Sequence, residues 1–86
     1  MTRYVDPKAA VSLENDGKCS YKQGRMHARA TEWSLRYRVA IPKTGRLRLV
    51  WYRVYVSEGH NPTPFIIVRG ERRYLTPELA EKVTVP

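Results

Sequence analysis

The chain has 86 residues, 42% of them apolar and 28% charged, and a formal net charge of +8. That length allows one small domain spanning residues 1–86, and the balance of apolar and charged residues excludes a largely disordered chain. A lone cysteine, Cys19, excludes an internal disulfide framework and any zinc site built on several cysteines, and no run approaches the roughly 20 apolar residues of a membrane span.

The start, MTRYVDPKAA, has no apolar h-region, so neither a signal peptide nor a membrane partner is expected. One cysteine suits a reducing compartment, and a cytoplasmic location is the expectation. The positive charge favours polyanionic partners. Eleven of the sixteen basic residues are arginine, the cation better suited to bidentate phosphate contacts and to stacking.

In VSLENDGKCSY, residues 11–21, apolar and polar residues alternate on both sides of Asn15-Asp16-Gly17. That pattern predicts a hairpin pairing Leu13 with Cys19 and Glu14 with Lys18. A short helix over residues 7–14, capped by Asp6, competes with it. Residues 24–32 carry little strand pattern and read as a loop. The next stretch is a clear strand, with Trp33, Leu35, Tyr37, Val39 and Ile41 on one face and Ser34, Arg36, Arg38 and Ala40 on the other.

Lys43-Thr44-Gly45 reads as a three-residue hairpin loop. RLRLVWYRVYV follows, residues 46–56, and its alternation breaks at Val50-Trp51-Tyr52. Pairing Ile41 with Leu47 and Val39 with Leu49 keeps the apolar faces together only if a β-bulge near Val50–Trp51 restores the phase. Arg36, Arg38, Arg46, Arg48, Arg53 and Tyr55 then share the second face, with Trp51 beside them and Arg53 opposite Arg36. Like charges in that arrangement are unfavourable, so a face without acids calls for an anion. The alternative is a solvated face whose arginines pair with Glu32, Glu58 or Glu71.

Beyond the loop at residues 59–64, residues 65–68 and 72–75 predict a second hairpin turning at Gly70-Glu71. Thr76, Pro77 and Glu78 read as the start of a helix reaching Val83, whose Leu79, Ala80 and Val83 cover the sheet. The fold expectation is therefore mainly β with a short C-terminal α-helix: a curled antiparallel sheet or open barrel of about five to six strands.

LRYRVAIPKTGRLRLVWYRVYV followed by PFIIVRGERRYLTPELAEKV resembles, in strand pattern, the β-rich insertion of some DDE-type transposases. The resemblance covers about half the chain. It implies nucleic-acid contact and says nothing about catalysis, because no counterpart of that family's acidic triad can be placed here.

No catalytic constellation emerges. His27 and His60 lack a carboxylate at metal-ligand spacing, and Cys19 reads as a packed thiol. The expectation is a non-enzymatic protein without metal or cofactor that binds DNA or RNA. Arg36, Arg38, Arg46, Arg48 and Arg53 would contact phosphates, Tyr55 and Trp51 would stack, and Lys18, Lys22 and Arg25 would extend the footprint. The alternative is an inhibitor or adaptor of the mobile-element, anti-CRISPR-like kind that docks its basic face on a host protein or nucleoprotein complex. Open sheet edges also admit a homo-oligomer.

Overall fold

The computed structural model describes residues 2–15, 28–57 and 63–83. Within them, five strands form one antiparallel sheet in the order β1-β2-β3-β4-β5. They are β1 (Ala10–Asn15), β2 (Ala28–Ala40), β3 (Leu47–Ser57), β4 (Pro64–Val68) and β5 (Glu71–Tyr74), followed by the short helix α1 (Pro77–Ala80). The mainly β expectation with a C-terminal helix holds. The expected strand at residues 18–22 lies outside the described residues, and β1 pairs with β2, Leu13 opposite Leu35 and Glu14 opposite Ser34.

Both readings of residues 7–14 capture a part. The Asp6 carbonyl accepts the N–H groups of Ala9 (3.0 Å) and Ala10 (3.1 Å), and Asp6 Oδ1 accepts Lys8 N–H at 2.9 Å. One turn forms, and the chain is extended from Ala10 onward. Ahead of that turn, Tyr4 bridges Tyr74 in parallel, and Val5 N–H donates to the Tyr74 carbonyl at 2.9 Å. Residues 3–15 therefore touch β5 at one edge of the sheet and, as β1, form the other edge beside β2, joining the ends of the strand order and curling it.

One face of the sheet packs Val5, Leu35, Tyr37, Tyr52, Val54, Ile66, Val68 and Leu75 into the main core; Leu79, Ala80 and Val83 pack against it, although α1 ends at Ala80 and does not reach Val83. Tyr55, Phe65 and Ile67 form a second, smaller cluster. β4 is buried along its whole length because its alternate residues feed these two clusters.

The β2–β3 register corrects the sequence reading. Ile41 N–H donates to the Arg46 carbonyl at 2.8 Å, and Thr44 N–H returns to the Ile41 carbonyl at 3.2 Å. The loop therefore holds four residues, 42–45, with Pro42 at the second turn position, which its fixed φ suits. Gly45 follows at φ +71°. Counting Pro42 into the loop moves the pairing by one residue, and a one-residue slip turns every side chain of a strand over. Ala40 faces Leu47, Arg38 faces Leu49, Arg36 faces Trp51 and Ser34 faces Arg53, without interruption. No bulge falls at Val50–Trp51. Val50, Tyr52, Val54 and Val56 keep the inward phase, while Leu47 and Leu49 point outward.

The irregularity lies in β2 instead, between Ala30 and Ser34, where the stretch expected to be a loop meets the expected strand at Trp33. Three residues there span what Val54 alone spans on β3. The buried Thr31 hydroxyl donates to the Val54 carbonyl at 3.0 Å and accepts Trp33 N–H at 3.3 Å, replacing the interrupted ladder bonds.

The second hairpin turns one residue earlier than expected, at Arg69-Gly70, with φ of +51° and +80°. Two positive φ values define the type I′ turn that matches strand twist.

Candidate nucleic-acid interface

The outer face of β2 and β3 follows from the observed register. Its rows read Ser12–Arg36–Trp51 and Glu14–Ser34–Arg53 across three strands, then Arg38–Leu49 and Ala40–Leu47 across two. The Arg36 guanidinium carbon lies 4.9 Å from the Trp51 ring centroid. The like-charge pair expected between Arg53 and Arg36 is thus replaced by an arginine on an aromatic ring, which is attractive. Arg36 Nε is buried without a hydrogen-bond partner, so the guanidinium is fixed by stacking rather than by an acceptor.

Of the residues expected on this face, Arg36, Arg38, Arg53 and Trp51 are brought together. Arg46 sits at the loop end, and Arg48 turns to the opposite face beside Val39; both leave the set because of the one-residue change in register. Tyr55 shares the phase of Trp51 but is only 2% exposed, with its ring 5.9 Å from that of Phe65, so its ring is spent on packing. Lys18, Lys22 and Arg25 lie outside the described residues, as do Cys19, His27, Glu58 and His60.

The sequence reading missed two features. Glu14 occupies the margin of this face, one row position beyond Ser34, so the face is not free of acids. The larger omission is apolar: Leu47 is 67% exposed, Leu49 41% and Trp51 39%, and they form a stripe along β3. The only signal was the common period-2 phase of Leu47, Leu49 and Trp51, which the apolar run at Val50–Tyr52 obscures. The contact of Arg36 with Trp51 depended on knowing which residues face each other.

Pairing with Glu71 does not occupy the arginines of this face. Glu71 meets Arg3 at 2.8 Å, in an exposed pair at the far edge of the sheet. Among the described residues, no group of three His, Cys, Asp or Glu side chains is placed to hold a metal, and no helix is long and apolar enough to cross a membrane.

No protein-family model, curated protein or solved structure matches the chain.

Proposed function

We propose that this protein binds single-stranded nucleic acid on the outer face of the β2–β3 hairpin, without enzymatic activity. The observation that carries the reading is the stacked Arg36–Trp51 pair with Arg38 and Arg53 around it. Arginines supply phosphate contacts, and an exposed indole supplies a platform for a base. The leucine stripe favours a single strand over a duplex. Unpaired bases expose apolar faces that Leu47, Leu49 and Trp51 cover, whereas a duplex keeps those faces inside its stack.

Three arginines on three phosphates give a slope of log affinity on log salt of about −2, from roughly −0.7 per single-strand phosphate. Raising salt from about 50 to 200 mM then weakens binding roughly twentyfold. Fluorescence anisotropy with labelled single-stranded DNA, single-stranded RNA and duplex DNA reads this directly. The double variant Arg36→Gln/Arg38→Gln should bind weakly, with a slope of about −0.7. Affinity that is flat in salt, or unchanged in that variant, rejects the reading.

The exposure of Leu47 and Leu49 also favours a second reading, in which the same face docks on an acidic protein surface as an inhibitor or adaptor of the mobile-element kind. Apolar patches ringed by charge mark such interfaces. Under it, Leu47→Ser/Leu49→Ser abolishes the association with an acidic protein surface, and single-stranded nucleic acid does not bind.

A further inference from the structure

Where the β2–β3 hairpin outruns the core, the turn before β1, the end of β2 and the β4–β5 turn enclose an open cleft of about 420 Å³. Lys8, Arg38, Arg69 and Arg73 line it, and Asp6 is the one acid among its lining residues. None of these four cations is ion-paired with a described residue. Four cations around one carboxylate repel one another, which is unfavourable unless an anion joins them.

Backbone features, rather than counter-charges, hold the cations in place. The type I′ turn sets Arg69, whose Nη2 donates to the Ala40 carbonyl. Arg73 Nη1 donates to the Tyr37 hydroxyl at 3.4 Å, and that buried hydroxyl also accepts Asp6 N–H at 2.9 Å. Arg73 Nε is buried without a partner. The Asp6 carboxylate already accepts Lys8 N–H, so it is engaged in shaping the turn. Val39 and Leu47 give the cleft an apolar wall.

We infer that this cleft binds a phosphate monoester carrying a small organic group. A monoester has a charge of about −1.5 to −2 at neutral pH and three acceptor oxygens, which suits several guanidinium forks converging on one point. A phosphodiester offers a single charge per phosphate and needs a groove open at both ends. The apolar wall takes the sugar or base. Arg38 and Leu47 border both sites, whereas Lys8, Arg69 and Arg73 belong to the cleft alone, so substitutions at those three test it apart from the outer-face reading. The same chemistry comes from two sources: a free mononucleotide, or the 5′-phosphorylated end of a strand.

Calorimetric titration with thymidine 5′-monophosphate, thymidine and inorganic phosphate tests the inference. The monophosphate should bind, thymidine should not, and inorganic phosphate should compete. Arg69→Gln and Lys8→Gln, both at exposed positions, should each weaken the monophosphate about tenfold. Arg73→Gln, checked for folding, should do the same, and Lys82→Gln on the turn after α1 should change nothing. Oligonucleotides with and without a 5′-phosphate then separate the sources. A preference for the phosphorylated end that Arg69→Gln removes assigns the strand end, and its absence alongside monophosphate binding assigns the free nucleotide. Equal binding of thymidine and its monophosphate, or unchanged affinity in both Arg69→Gln and Lys8→Gln, overturns the inference.

Discussion

Replacing Leu47 by alanine tests the hairpin register on which the outer face depends. Leu47 lies opposite Ala40 and is 67% exposed, so about a third of its surface leaves water. Full burial of a leucine side chain contributes about 1.5–3 kcal/mol, so Leu47→Ala should cost about 0.5–1 kcal/mol. Leu35 has 0% exposure and lies opposite Tyr52. Leu35→Ala should cost about 2–5 kcal/mol, from lost transfer energy and the cavity left behind. Each kcal/mol moves Tm by about 4–8 °C in a domain of this size. Thermal unfolding followed by circular dichroism should therefore show a drop below about 8 °C for Leu47→Ala and a much larger one for Leu35→Ala. A register with a bulge at Val50–Trp51 turns Leu47 inward against Ile41 and demands a cost of about 2 kcal/mol or more there. If Leu47→Ala unfolds as early as Leu35→Ala, the four-residue loop and the face built on it are wrong.

Substitutions at three further positions probe features that position the two sites. Thr31→Val removes the hydroxyl serving both the Val54 carbonyl and Trp33 N–H; it should cost about 1–3 kcal/mol in urea unfolding and speed hydrogen exchange at the Trp33 amide. Tyr37→Phe takes away the acceptor shared by Asp6 N–H and Arg73, with an expected loss of about 1–2 kcal/mol by the same assay, and unchanged stability would show that this hydroxyl does not hold the turn. At Gly70, where an added Cβ meets nothing within 4 Å, the cost of Gly70→Ala is purely conformational, about 1–2 kcal/mol. Gly70→Asn should cost less because asparagine tolerates positive φ, and equal Tm values for the two variants would contradict the turn geometry.

The sequence made the local elements legible and left their relations hidden. The alternation from Trp33 to Ile41 marked the later part of β2 and its inward face, while residues 28–32 of the same strand read as a loop. Thr76-Pro77-Glu78 marked the helix start, although Thr76 makes no side-chain cap bond, so the N-cap chemistry was not what placed it. The outward phase of β3 was misread because Leu47 and Leu49 look like core residues. Taking them inward forced a bulge, whereas the ladder leaves them exposed and keeps Val50, Tyr52 and Val54 in phase. Hydrophobicity alone cannot distinguish a core leucine from an exposed one when a loop's length is ambiguous by one residue, and Pro42 decided that length. The cleft was beyond reach of any local pattern. Lys8, Arg38, Arg69 and Arg73 are scattered along the chain and converge only because residues 3–15 link both edges of the sheet.

Trp51 itself reports most directly on whether the outer face takes a base. Trp33→Phe leaves Trp51 as the sole tryptophan, so its emission can be followed while short oligo(dT) is added at roughly 50 mM salt, where electrostatic binding is strong. The expected result is saturable quenching that added salt reverses, weaker with a duplex of the same length and lost in Arg36→Gln/Arg38→Gln. Emission that stays constant while anisotropy shows the strand bound would place the nucleic acid elsewhere on the molecule, and no binding at all would remove single-stranded nucleic acid as the partner of this face.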